Sequence, residues 1–555
     1  MPPNSLKIYI IIALIFIFVK WHIKKEVSIS FTNDKYVKEL EMAEFNLNTE
    51  NTKSAQLLKL TTDTVVTHDT SEEFSLPDYV PEIRKLLHTK AGVLPESKYI
   101  GDDGANSSLE FGGTVTYLLI YMDDEGTLCS LPLTSNYEAQ STLISHPSTV
   151  FIDTVIDNVT PRVNAPRKIT VKTRMKSRVQ GWESVTEVEK IENKSTADEL
   201  FIERNTQNVN TVSIKPISLG GVKFSEKIDM QGVESPRPLW CDAATVINDV
   251  RAQNNSVSVR GEAKIKCICE AGGESVILTK SVPLAEEIEA EGASLGDMVR
   301  VSARCVSLAV SNEQNDDMGQ LFFDLTCELE GEVLRNVENT LTRDCYSTKY
   351  ESEEAYKAVD TYRGIKAQNG SFTISEGIKR KSKDMAKIID VMCDPVVEKT
   401  EFKGGRATIN GRLNLTLIGQ GEAGSSEAHE YMSENYEVPF KYAYEVGNVT
   451  DPITRCDVCA NGIDARIEGD KIHVNGEIYI SASVIDKSKI QVLDTSVLKK
   501  DIEIKKDAGC VKVYFPKEGD TLWEIAKKYH ITMAKLKEQN DLNIDSVEGI
   551  KNLII

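Results

Sequence analysis

The chain has 555 residues, with 65 Lys and Arg against 85 Asp and Glu, and a formal net charge of −20. That length exceeds a single core and implies roughly three to five domains, while 41% hydrophobic and 27% charged residues are ordinary for folded protein. The acidity argues against sequence-independent binding to nucleic acid or anionic lipid, both of which need a basic surface.

At the N-terminus, Ile8 to Val19 is an apolar run between Lys7 and Lys20. It is shorter than the roughly 17–25 residues of a membrane span, and no small-residue cleavage site follows it. Lys38-Glu39-Leu40-Glu41 then precedes Met42, and Lys-Glu-Leu is what a purine-rich ribosome-binding site encodes when read through. The expectation is a start at Met42. Residues 1–41 are then an apolar and basic leader without a functional span, and 42–65 a polar segment.

Three landmarks follow in the same order three times. Phe74, Phe224 and Phe372 each precede Ser or Thr, at intervals of 150 and 148 residues. Next comes a short stretch read as a helix: Val80–Leu87, Ala243–Val250 and Ala386–Val391. Then comes a strand with an internal glycine: Leu109–Met122, Val257–Glu270 and Ala407–Gly419. Gly113, Gly261 and Gly411 are spaced by 148 and 150. A glycine inside a strand implies a bulge or a sharp bend.

Turns are expected at Asp123–Gly126, Ala271–Gly273 and Gly419–Ser425, each followed by a strand ending near Pro132, Pro283 or Pro439. Alternating runs at Lys168–Val179, at Val301–Val310 with Gln320–Val333, and at Ala465–Val484 read as second hairpins, the last turning at Glu468-Gly469-Asp470. The fold class is therefore mainly β: three β-sandwich-like units of about 150 residues at 66–205, 206–355 and 356–495. A linker at 496–509 and a small module at 510–555 complete the chain.

Several motifs carry little chemistry. The eleven cysteines are scattered singly, which fits a reducing compartment better than a disulfide framework. Cys456-x-x-Cys459 lacks a second ligand pair. Gly419-x-Gly421-x-x-Gly424 is not followed by an apolar helical stripe, as a dinucleotide site requires. The residue four beyond His429 is Ser433, so a zinc-protease pair is absent. Trp182 and Trp240 read as packing residues. No catalytic residue, metal ligand or cofactor motif emerges, and the expectation is a protein that is not an enzyme.

In the last module, Val511, Val513 and Phe515 alternate as a strand edge, and Gly519-Asp520 breaks it. Thr521 and Glu524 form a capping box, and Leu522, Ile525, Ala526 and Tyr529 share one helical face. Thr532 caps a second helix with Met533 and Leu536 inward, Asn540-Asp541 ends it, and Asn552–Ile555 returns as a strand. Trp523 lies one step off the buried stripe, which leaves two readings open: a partly exposed binding anchor or a core residue.

This β-α-α-β order, with Gly519-Asp520-Thr521-Leu522, Ile525-Ala526, Tyr529 and Asn540, resembles the LysM family. That resemblance implies a groove for N-acetylglucosamine polymers or a protein partner, lined by Gly519, Asp520, Thr521, Leu522, Trp523, Asn540, Leu542, Ile544, Gly549 and Ile550, with Val511 on the strand edge. Tandem β units followed by one LysM module resemble the SPOCS-type proteins of spore-forming Firmicutes. The likeness implies a coat-assembly adaptor in the mother-cell cytosol at the forespore surface. Its partners would be the coat ATPase SpoIVA and other coat proteins, with self-association and no nucleic acid. The competing expectations are a binder of cortex or wall peptidoglycan and a wall hydrolase, the latter lacking any catalytic constellation.

Overall fold

Apolar and polar residues alternate through most of the chain, and strands form wherever one face of that alternation is buried. The computed structural model describes residues 54–555 except 105, 231–235, 272–273, 316–317, 422–429, 506–510, 544–546 and 548–549. The leader, the start at Met42 and the apolar run at 8–19 lie outside the described residues. Among the described residues no helix is long and apolar enough to cross a membrane.

The chain is mainly β, and its strands fall into three groups of six. The first comprises β1 (Ser54–Ser75), β2 (Lys85–Asp103), β3 (Asn106–Met122), β4 (Leu128–Ile144), β5 (Thr149–Ala165) and β6 (Lys168–Val188). After a short β7 (Lys190–Glu192) and one 3-10 helix (Thr196–Phe201) comes the second group. It contains β8 (Ile202–Met230), β9 (Arg237–Gln253), β10 (Ser256–Ala271), β11 (Glu274–Glu289), β12 (Met298–Asn315) and β13 (Met318–Ser347). The third contains β14 (Tyr350–Lys379), β15 (Met385–Lys403), β16 (Arg406–Gly421), β17 (Tyr431–Glu445), β18 (Asp451–Glu468) and β19 (Lys471–Glu503).

The strand order is the same in each group. The middle four strands give an antiparallel sheet of three (β2-β3-β4, β9-β10-β11, β15-β16-β17) plus one outer strand of a second sheet (β1-β6-β5, β8-β13-β12, β14-β19-β18). The two sheets of each group close over an apolar core of their own. Phe74, Phe224 and Phe372 occupy matching places, on the first strand opposite Ile169, Leu325 and Ile478 of the sixth. β1 begins within the stretch read as a polar segment, and β19 runs into the stretch read as a linker.

The three glycines face bulges. Opposite Gly113, Gly261 and Gly411 the neighbouring strand carries one extra residue, Glu96, Asn248 and Glu398. A Cβ on these glycines would lie 2.1, 2.0 and 2.4 Å from the carbonyl oxygens of Leu94, Val246 and Val396. Only a residue with no side chain admits the bulged backbone at that distance.

Three expectations are corrected. Val80–Leu87 contains no helix, and Ala243–Val250 and Ala386–Val391 are strand, within β9 and β15. The prolines do not end their strands: Pro132, Pro283 and Pro439 sit inside β4, β11 and β17. Each of these is an outer strand, the position that tolerates a missing N–H. Cys241 and Cys267, register partners on β9 and β10, are joined as a disulfide, so not every cysteine is single. Among the described residues eight others are free thiols, four buried and four half-buried.

A second bulge recurs near the start of the second strand of each group. Leu87, Leu239 and Ile389 are the extra residues, and His88, Trp240 and Asp390 pair with Ile120, Ile268 and Ile418. These apolar residues meet in one cluster shared by all three groups. Polar links bind the groups pairwise around it. Lys90 pairs with Asp242 (2.5 Å), the Trp240 indole donates to Asp390 (2.8 Å), and Ser433 donates to the Leu87 carbonyl (2.6 Å). The first and sixth strands extend beyond the sandwiches as long antiparallel two-stranded ribbons. Ala55, Leu57, Leu341 and Val492 bring their far ends together.

Candidate functional site

The C-terminal module consists of β20 (Val513–Tyr514), α1 (Leu522–Lys528), α2 (Met533–Gln539) and β21 (Leu553–Ile554), with the two strands antiparallel. The turn before α1 is built by Asp520, whose carboxylate accepts from the Lys517 N–H (2.8 Å) and the Tyr514 hydroxyl (2.7 Å). Those two hydrogen bonds hold its pKa below the usual carboxylate range. Gly519 takes a positive φ of 93° there, a conformation that costs glycine nothing.

The capping box forms as expected. Glu524 N–H donates to Thr521 Oγ1, and the Thr521 N–H donates back to the Glu524 carboxylate, each at 3.2 Å. Thr532 caps α2 through the Lys535 N–H (3.1 Å). Leu522, Ile525, Ala526, Leu536 and Leu553 form the module's buried core, with Met533 half-buried beside it.

The expected site residues divide. Gly519 and Thr521 are exposed, and Asp520, Leu542 and Ile550 are half-buried. Ile544 and Gly549 lie outside the described residues. Leu522 is fully buried, so its side chain belongs to the core and not to a groove. Asn540 is also structural: its amide donates to Leu536 O (2.9 Å) and Ile554 O (2.8 Å) and accepts from the Ile554 N–H (2.7 Å). Val511 precedes β20 instead of forming part of it, and with Val513 and Phe515 it is exposed. Asn540→Ala should therefore cost about 1–3 kcal/mol and speed amide exchange at Ile554 without altering any surface contact. Hydrogen exchange on the full chain reads both effects.

Trp523 is half-buried and packs against the module's core cluster, which Tyr346 of the β body joins. Its indole N–H donates to Asp344 Oδ2 (2.7 Å), and its ring meets Tyr346 edge-on with centroids 4.9 Å apart. Asp344 and Tyr346 lie on β13, near the far end of the second group's β8–β13 ribbon. They point to the module, while Cys345 between them packs inward with Ile202, Leu493 and Leu498. Tyr346 is 1% exposed, and its hydroxyl donates to the Ile531 carbonyl (2.6 Å).

Lys527, one turn along α1, reaches Asp344 (2.7 Å) and Glu354 (3.0 Å). Burial disfavours its charge, but the hydrogen bonds it donates to both carboxylates outweigh that and raise its pKa. Tyr356 donates to Asp344 (2.7 Å), and burial followed by that bond pushes its pKa up to about 12. His530 Nδ1 stands 3.0 Å from the Ser347 carbonyl, and Nε2 is 3.6 Å from Glu351. Asp344 thus gathers an indole, an ammonium and a phenol at one carboxylate. Nothing in the sequence near β13 signals this role, because the indole and the ammonium stand about 180 residues later.

The remaining motifs stay inert. Gly419 and Gly421 belong to β16, and Gly424 and His429 lie outside the described residues. Cys456 and Cys459 sit three apart on β18, on opposite faces, and burial pushes their thiols up to about 12 and about 11. Trp182 is 1% exposed and packs edge-on against Tyr362. Among the described residues, no three His, Cys, Asp or Glu side chains converge as a metal site.

Residues 517–551 match the LysM domain family. Neither a curated protein nor a solved structure matches the chain. The LysM match supports binding to peptidoglycan or other carbohydrate, or to protein.

Proposed function

We propose that the chain is a non-enzymatic adaptor of spore-coat assembly, of the SipL kind, whose LysM module binds the coat ATPase SpoIVA. It would act in the mother-cell cytosol at the forespore surface, with the acidic β groups serving as scaffold. The observation that carries this reading is the use of the module's α1 face. Trp523 and Lys527 already engage protein side chains, Asp344, Tyr346 and Glu354, in a mixed aromatic and ionic contact. Such a contact is typical of protein recognition, in which Trp and Tyr anchors recur. The order of β groups followed by one LysM module supports it.

A second reading is favoured by the family match itself: a binder of peptidoglycan using the exposed turn around Gly519 and Thr521. The full chain immobilised and offered purified SpoIVA and purified peptidoglycan separates the two. Saturable capture of the ATPase without sedimentation on peptidoglycan is expected. Sedimentation with peptidoglycan and no ATPase capture sinks the adaptor.

A further inference from the structure

The strands that meet at the centre of the β body continue past it, and their axis-facing residues stand in levels. β2, β9 and β15 are regular between their two bulges, so every second residue faces the axis. His88, Trp240 and Asp390 form the first level. Lys90, Asp242 and Met392 form the second, where the shared apolar cluster ends. Gly92, Ala244 and Asp394 form the third, and Leu94, Val246 and Val396 the fourth. Packing opens at the third level. Met392 is buried, but Gly92, Ala244 and Asp394 are all half-buried, and the Asp242 side chain is 50% exposed. A cavity of about 60 Å³ adjoins, lined by Val246, Val301, Ser302, Asn369, Asp457 and Cys459. Cys459 feels the charges of both Asp242 and Lys90.

Charge along this axis is matched except at one place. Lys90 pairs with Asp242, Lys266 with Asp390, and Lys264 with Glu262 (2.9 Å). Among the described residues, the Asp394 carboxylate has neither a hydrogen-bond nor an ion-pair partner. Burial raises its pKa, and the Lys90 charge, shared with Asp242, offsets that only in part. An unpaired carboxylate so placed is stabilised by a cation. Its surroundings select the kind. Thr116 and Asn414, register partners of Gly92 and Asp394, add neutral oxygens. A divalent metal takes a larger set of oxygen ligands, and among the described residues none converges. The fourth level is apolar. Farther out stand two more carboxylates, Glu96 held by Thr114 (2.6 Å) and Glu398 held by Arg412 (2.6 Å). That order fits an ammonium head on a methylene stem, with three donors at one end and apolar contact along the rest.

We propose that the axis beyond the apolar cluster is a binding site for a primary alkylammonium group, with Asp394 as its counter-ion and Leu94, Val246 and Val396 along its stem. The site belongs to the β body and is independent of what the LysM module binds.

The test titrates the full chain with cadaverine (1,5-diaminopentane) by calorimetry at fixed ionic strength. Two variants bear on the site. Asp394→Asn removes the charge and keeps the shape, and Ala244→Leu fills the third level and leaves the carboxylate. Asp501→Asn, at an exposed position of β19, is the charge-matched control. Saturable binding to the unaltered chain is expected, weakened about tenfold or more by each site variant and unchanged by the control. Asp394→Asn removes an unpaired charge, so its thermal midpoint should equal or exceed that of the unaltered chain. No saturable binding to the unaltered chain overturns the proposal. Equal weakening by Asp394→Asn and Asp501→Asn also overturns it, since that marks general attraction of a cation to an acidic protein. A lowered midpoint in Asp394→Asn does the same, because the carboxylate then has a partner within the protein.

Discussion

Glu332→Ala should destabilise the protein by about 3–5 kcal/mol, as expected when one member of a buried ion cluster is removed and its partners stay. Glu332 on β13 is 1% exposed and accepts from Arg300 Nε (3.2 Å), Arg455 Nη1 (2.5 Å) and the Ser483 hydroxyl. Arg455 also grips Asp153 through two nitrogens (2.9 and 3.3 Å) and lies 3.9 Å over the Phe151 ring, while Arg300 reaches Asp457. One carboxylate therefore joins β5 of the first group, β12 and β13 of the second, and β18 and β19 of the third. Alanine leaves two buried guanidiniums with one carboxylate each, Asp153 for Arg455 and Asp457 for Arg300. Glu332→Gln keeps an acceptor and should lose roughly half as much.

The pH dependence follows from the same cluster. Burial alone would raise the Glu332 pKa, but the charges of Arg455 and Arg300 prevail and bring it to about 2 from an ordinary 4.5. A depressed carboxyl stabilises fully above its unfolded value, and the contribution disappears as pH falls through the folded one. Stability should decline between about pH 4.5 and 2, and the Gln variant should show a flatter limb there. Denaturant titrations at pH 7, 4 and 3 measure both.

Gly261→Val should cost about 3 kcal/mol or more, because the nearest atoms to its new Cβ are backbone. The Val246 oxygen would stand at 2.0 Å and Ile247 Cα at 3.1 Å, and neither moves without undoing the bulge at Asn248. Gly220→Ala is the control. Its Cβ meets nothing closer than the Glu328 carboxylate at 3.7 Å, and the change should stay within about 1 kcal/mol. Thermal unfolding of the two variants side by side distinguishes a steric cause from a general intolerance of glycine replacement.

The strands were legible because alternation marks a face, and the three bulges because glycine inside alternation has few other causes. The short helices were misread for a physical reason. Val246 and Ile247 are neighbours, yet both are buried: Ile247 lies in its own sandwich's core, Val246 beside residues of the third group, and Trp240 of the same strand at the junction of the groups. Ile389 and Met392 on β15 meet the same junction while Val391 faces its own core. A strand apolar on both sides loses its period of two and imitates a helix. In the module, local capping chemistry disclosed α1 and α2, and the buried stripe left Trp523 outside it. Its actual partner is Asp344, and no local rule reaches that far along a chain.

The matched residues at the centre bear on how such a molecule closes. In a ring of three identical subunits every contact is made three times, and any subunit fits any place. Here one equivalent position holds His88, Trp240 and Asp390, and the bond from Trp240 to Asp390 exists once. His88 Nε2 has no hydrogen-bond partner there. The three groups are therefore not interchangeable at this position, because the bond joining Trp240 to Asp390 has no counterpart at His88.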